Sequence, residues 1–332
     1  MGEITVNQLL AVPSIDSDLE RNAAVIRRSK RPTGKVDVVL DTDTYNEIDD
    51  QYALAFLAEC QEKLNVCGVF AAPFHNHHSD GPGDGMERSY HEIFKVLDLT
   101  GHTELKDRVF RGSNAFLPDE KTPVDSPAAR YLVELAMKHS PENPLYVACI
   151  AAPTNIASAI LLEPSIVERI VVVWCGGVGL DWPDAFCFNG CQDIAASRVL
   201  LGSGVALVLI PARGVGYAFA LSGVELEYWL KGRSPFCDYI LARTEDEARM
   251  VESKPSWSRQ IVDVLPIAWL LGGDYTLDRM DRRPMIGYDK HYTFDPRRPL
   301  IRYVYSVKRD NIANVLMGKL GHIPEMLCED KK

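Results

Sequence analysis

The chain has 332 residues, of which 46% are hydrophobic and 25% charged, so a large core is available and a small disulfide- or metal-stapled module is excluded. Lysine and arginine number 36 against 46 aspartate and glutamate, and the formal net charge of −10 disfavours nucleic-acid polymers and anionic membrane surfaces as partners. No apolar run approaches the roughly 20 residues of a membrane span. The opening MGEITVNQLL lacks the basic-then-apolar pattern of a secretion signal, and the eight cysteines sit mostly in apolar contexts, so the expectation is a soluble protein of the reducing cytoplasm. Cys187 and Cys191 have no second pair at zinc-ribbon spacing and read as free thiols.

Along the chain, short β-branched runs alternate with segments of helical period. This predicts an α/β fold: one large domain with a mostly parallel, Rossmann-like central sheet flanked by helices, occupying residues 33–332 behind an irregular N-terminal arm, residues 1–32. Continuous apolar runs mark strands at Lys35–Asp41, Asn65–Ala72, Leu145–Ile150, Arg169–Gly176 and Val205–Ile210, as expected where both sheet faces are covered. Asp50–Glu62 reads as an amphipathic helix with Ala53, Leu54, Leu57 and Ala58 on its apolar face. Ser126-Pro127 supplies an N-cap and a first-turn proline to a second helix. Pro73–Asp84, which carries His75, Asn76, His77 and His78, reads as a long loop after a strand, where α/β proteins build sites. Further helices are predicted at Gln192–Leu201, Ser222–Leu230 with a Ser222/Glu225 capping box, Phe236–Val251 and Ser258–Leu271. A last strand (IRYVYSV) and a closing helix from Asp310 complete the chain.

The most informative segment is DTDTYNEIDD, residues 41–50. Helix N-termini attract acids, but that accounts for one or two of Asp41, Asp43, Glu47, Asp49 and Asp50, not for all five. Carboxylates converging at the end of a buried strand repel unless neutralised, and an all-oxygen donor set selects a hard cation such as Ca²⁺ or Mg²⁺; a solvated acidic loop is the alternative.

The strand–DxD–DD–helix arrangement resembles the metal-binding motif DxDxGxDDA of the inosine-uridine preferring nucleoside hydrolase family, lengthened here by two residues in the form DTDTYNEIDDQ. Three more segments resemble that family in order. CIAAPTNIA, residues 149–157, is similar to the segment whose backbone carbonyl, by position that of Ile150, binds the metal. VWCGG, with Cys175, then Cys187-Phe188-Asn189 and Asp193, resembles Met-Gly-Gly, Glu-Phe-Asn and Asp, in which Glu and Asn hold the ribose. Val262-Asp263 resembles His-Asp.

The resemblance implies hydrolysis of a nucleoside or related riboside at its C1′–N bond, through an oxocarbenium-like transition state, by a water held on one Ca²⁺. It implies Asp43 as general base and metal ligand; Asp50, Asp263 and the Ile150 carbonyl as the other ligands; and Asp49, Asn76, Asn189, Cys187 and Cys175 at the substrate. It also implies a homodimer or homotetramer. Two departures bear on activity. Cys187 stands where a carboxylate grips the sugar, and Val262 stands where a histidine protonates the departing base. His77 or His78 could donate that proton instead, or an aromatic residue could stack on the base, with Trp182 the first candidate beside Phe186, Tyr217 and Trp257. A homologue that keeps metal and ribose but has lost turnover is the alternative. With no cluster of Lys or Arg evident beside any motif, nucleotides are expected to be poor substrates.

Overall fold

The computed structural model describes residues 15–251 and 256–323. In chain order the elements are α1 (Ile15–Arg28), β1 (Val36–Thr42), α2 (Asp49–Ala58), β2 (Leu64–Ala71), α3 (Pro82–Thr100), β3 (Val109–Arg111), α4 (Pro127–Ala136), β4 (Leu145–Cys149), α5 (Thr154–Leu162) and β5 (Ile170–Cys175). There follow α6 (Phe188–Gln192), α7 (Ile194–Gly202), β6 (Ala206–Ile210), β7 (Ala220–Ser222), α8 (Gly223–Leu230), α9 (Pro235–Val251), β8 (Ser258–Gln260) and α10 (Val264–Leu270). The last are β9 (Thr276–Arg282), β10 (Met285–Ile286), β11 (Tyr292–Thr293), β12 (Leu300–Val307) and α11 (Arg309–Leu320).

Eight strands form one sheet in the order β3-β2-β1-β4-β5-β6-β12-β9, every neighbouring pair parallel except β12 and β9. Successive side chains of a strand face opposite sides. Val38 and Leu40 of β1, with Val171 and Val173 of β5, join one core, while Val39, Val147 and Val172 join the other. The apolar runs read as doubly covered strands are just that. The strand order reverses between β1 and β4, which opens a crevice beyond their C-terminal ends.

Four segments differ from the sequence-based expectation. Residues 15–28, placed in an irregular arm, form α1, which packs against β12 and β6; Arg28 donates to the Val167 carbonyl (2.9 Å) and the Asn22 side chain accepts from the Leu300 amide (3.0 Å). Helix α2 is buried on every side from Asp49 to Ala58 instead of on one stripe, because α3, α10 and α11 enclose it. Ser258–Leu271 is not one helix: Ser258–Gln260 pairs antiparallel with β7, and α10 starts only at Val264, since the backbone around Asp263 turns to meet the acidic segment. The long loop is shorter than it reads, because Pro82 opens α3.

The capping box at α8 is present in full, the Ser222 hydroxyl accepting from the Glu225 amide and the Glu225 carboxylate accepting from the Ser222 amide (2.8 Å). Ser222→Ala is expected to cost about 1 kcal/mol, read as a lower urea midpoint with an unchanged slope.

Candidate active site

The C-terminal end of β1 delivers the acids. Asp41 is the last strand residue but one, and its carboxylate is buried on the sheet, accepting from the Asn155 amide of α5 (2.8 Å). The chain then turns, the Asn46 amide donating to the Asp43 carbonyl (2.7 Å), and enters α2 with Asp49 and Asp50 in its first turn. The Thr42 hydroxyl donates to one Asp50 oxygen (2.6 Å). Asp49 reaches across to the start of α10, where its Oδ2 accepts from the amides of Val262 (3.1 Å) and Asp263 (3.4 Å). Carboxylate oxygens of Asp49, Asp50 and Asp263 thereby lie within 4.8 Å of one another. Asp43 stands beside this triad, its carboxyl feeling the charges of Asp50 and Asp49.

All four carboxyls are buried. Both oxygens of Asp43, one of Asp50 and one of Asp263 have no hydrogen-bond partner among the described residues. Burial, reinforced by the neighbouring charges, pushes Asp43, Asp50 and Asp263 well above the usual carboxylate range and Asp49 up to about 6. Asp41, raised chiefly by burial, reaches about 7. Unpaired buried carboxylates are costly, and oxygens aimed at one another with no donors between them suit a hard divalent cation. The donor set fits such an ion.

Around the triad, the Asn189 amide donates to the carbonyls of Ile150 (2.8 Å) and Cys175 (3.0 Å), so one lone pair of the Ile150 oxygen is engaged by protein. The Cys175 thiol donates to the Val262 carbonyl (3.6 Å) beside Asp263. Cys187 caps α6, its sulfur accepting from the amides of Gly177 (2.9 Å) and Gly190 (3.4 Å), and burial pushes its pKa to about 11. A neutral, capped thiol is no nucleophile. Asn76 is held by Asn46, to whose side chain it donates (2.6 Å), and accepts from the His78 amide (2.8 Å).

One cavity reaches Asp49, Asp263, Asn189 and Cys187 of these groups, while Asp43, Asp50, Cys175 and Asn76 lie outside its lining. Its buried floor is formed by Asp49, Asp263 and Asn189, and its more exposed wall carries Tyr217, Arg213 and Arg259. Trp182 does not line it: the indole borders a neighbouring depression with Gly179 and Tyr303 and meets this site only through the Arg213 guanidinium, 4.9 Å from its ring. Trp257 faces another depression, with Val224 and Leu241. Tyr217, 49% exposed, lines the cavity together with Phe188.

The rings of His77 and His78 lie 3.8 Å apart, tilted by 42° and outside the lining of this cavity, and Glu247 of α9 lies 3.4 Å from His78 Nε2. Desolvation holds His78 below the ordinary histidine value. His75 lies apart, its amide donating to Gln192 (2.6 Å).

Sequence reasoning passed over Thr42, Glu247, Arg213 and Arg259. Thr42 lies inside the acidic motif, and Arg259 lies only four residues before Asp263, a proximity that was there to be seen. Arg213 and Glu247 reach their positions through the fold alone. The expectation of no Lys or Arg cluster beside the motifs is a statement about sequence neighbours; in the fold two arginines share the acidic cavity.

An acid whose folded pKa is raised stabilises the fold while protonated. That contribution is complete below its unfolded value of roughly 4 and is lost as pH rises through about 6 for Asp49 and about 7 for Asp41. Chelated protein is therefore expected to melt higher at pH 5 than at pH 8, with a divalent cation restoring stability at pH 8 and Asp50→Asn reducing the difference. Melting curves at both pH values check this.

No curated protein sequence matches the chain. The inosine-uridine preferring nucleoside hydrolase family model matches residues 38–294. Among solved structures, a purine-preferring ribonucleoside hydrolase from Gardnerella vaginalis is 18% identical at a TM-score of 0.66, covering 86% of this chain and 98% of that one. An inosine-uridine preferring nucleoside hydrolase from Bacillus anthracis is 17% identical at 0.63, covering 87% and 100%. The type III effector protein XopQ, solved with adenosine diphosphate ribose, is 18% identical at 0.64, covering 90% and 98%. At these identities the structures show a shared fold, and the family match over most of the chain gives its kinship: this chain belongs to the inosine-uridine preferring nucleoside hydrolase family, a family of metal-dependent nucleoside N-ribohydrolases.

Proposed function

We propose that the chain hydrolyses the N-glycosidic bond of a ribonucleoside or related riboside, with one Ca²⁺ in the acidic cluster and Asp43 as the general base. The observation that carries this is the set of buried carboxylate oxygens without partners at the sheet's switch point, on Asp43, Asp50 and Asp263. The all-oxygen donor set supports calcium over a softer metal. When bound, the cation supplies charge neutralisation and a common anchor for water and the ribose diol.

The protein's own groups do the rest. Asp43, with neither oxygen committed to a neighbour, is free to take a proton from water. Asp50 is oriented by Thr42, and Asp49 by two backbone amides, which fixes their lone pairs toward the cluster. The Ile150 carbonyl, steadied by Asn189, adds an oxygen at the end of β4. Asp49, Asn76, Asn189, Cys175 and Cys187 form the sugar side in this reading. Positive charge developing on the ribose is stabilised by the surrounding carboxylates.

The departing base needs a proton or a hydrogen bond. Val262 offers none from its side chain, so the His77–His78 pair, backed by Glu247, takes the role, and Tyr217 rather than Trp182 is the aromatic placed to face a base. The ribosyl compound held by the XopQ neighbour keeps non-nucleoside ribosides within the candidate substrates. A cytoplasmic homodimer or homotetramer is part of the same proposal.

Release of free ribose and base from a purine and pyrimidine nucleoside panel tests the reading. Turnover is expected to be abolished by chelation, restored by Ca²⁺, and lowered at least roughly a hundredfold in Asp43→Ala. Folded, calcium-loaded protein that is inert toward every nucleoside and riboside would overturn it in favour of a binding role. His78→Ala is expected to slow poor leaving groups more than p-nitrophenyl riboside, whose departure needs no proton. Because His78 titrates below the ordinary value, the protonated form and its contribution decline as pH rises toward neutrality.

A further inference from the structure

We propose that the preferred substrate is a riboside carrying a 5′-phosphate, held by Arg213 and Arg259. This rests on the hydrolase reading and names the substrate class of the same site. The two guanidinium groups arrive from different elements, Arg213 from the loop after β6 and Arg259 from β8, and share one cavity with Asp49 and Asp263. Neither is saturated by protein. Arg213 uses only Nη1, donating to the Phe186 carbonyl and to Asp184 (3.5 Å). Arg259 donates from Nη2 to Glu47 (3.1 Å), while its Nε is buried with no partner among the described residues. A guanidinium carries five N–H donors in a fixed fork suited to a tetrahedral oxyanion.

Neutralising the acidic cluster accounts for them only in part: the charge of Arg259 acts on Asp49. Arg259 bonds to Glu47 and not to Asp43, Asp50 or Asp263, whose free oxygens remain without partners. Cys187 contributes a neutral thiol to the lining, and Glu47, the carboxylate on the exposed side, is paired with Arg259 (3.1 Å). In this reading C1′ of the ribose lies at the acidic floor, and C5′, the one exocyclic carbon of the sugar, carries its substituent toward the wall. The chain's net charge of −10 opposes this only at long range, since exposed charges are screened beyond about 8 Å in physiological salt.

The calcium-loaded protein titrated calorimetrically with ribose and with ribose 5-phosphate decides the matter. Ribose 5-phosphate is expected to bind at least roughly tenfold more tightly. Arg213→Gln and Arg259→Gln should each shrink that ratio severalfold, while the Lys variants, which keep charge and lose the fork, fall between. Equal binding of the two sugars overturns the proposal, as does a ratio untouched in all four variants, which would assign the gain to the metal. In parallel, nucleoside 5′-monophosphates are expected to show higher kcat/KM than their nucleosides. Hydrolysis of nucleosides alone overturns this inference and leaves the hydrolase reading standing. Inertness toward both, with tighter ribose 5-phosphate binding that depends on the arginines, overturns the hydrolase reading and leaves the anion site standing.

Discussion

Mutual repulsion among buried carboxylates organises this molecule. A parallel strand ends inside the protein, and within nine residues of its last turn the chain places Asp43, Asp49 and Asp50 where water does not reach them. Asp263 then adds a fourth charge from the far end of the sequence. Such a cluster is tolerable only where each acid is protonated, hydrogen-bonded or neutralised by a cation. Thr42 and the amides of Val262 and Asp263 satisfy part of the requirement, and the remaining oxygens define a cation's coordination sphere. The complete burial of α2 follows from the same demand, because the helix that presents Asp49 and Asp50 must be immobile to hold them together.

Much of this was legible in the sequence because it depends on local pattern. Doubly covered strands read as unbroken Val/Ile/Leu runs, and β4, β5 and β6 lie within a residue of the expected bounds. The acidic segment is legible because five acids exceed what a helix dipole explains. The failures share a cause as well. Ser258–Leu271 has helical composition, yet β7 offers its first residues a strand partner, and Asp49 draws the backbone at Val262 and Asp263 into a turn. In sequence Trp182 is the first candidate to stack on a base, but the loop carries that indole onto Arg213 in the next depression and leaves Tyr217 at the cavity. Which of several surface-loop side chains faces a cavity is decided by loop path, and no periodicity encodes loop path.

Cys187 shows how one neutral side chain can hold the frame of a site. The sulfur takes over a structural task, receiving two backbone amides at the head of α6, so the short helix stays in place and Asn189 stays pointed at the carbonyls of Ile150 and Cys175. The thiol adds no charge to the cavity, so the balance there is set by the acidic floor, Glu47 and the two arginines.

The bond between Asp49 and the Val262 amide spans 213 residues of sequence. A cation therefore has no competent site until the first strand, its helix and the start of α10 have met, and closing so long a loop is among the late, slow events of folding. The metal is in this sense a ligand of the finished topology alone. A cation bound there would add free energy only to the native state and withdraw that support from any partly unfolded form, so its free concentration would tune stability through the whole topology at once.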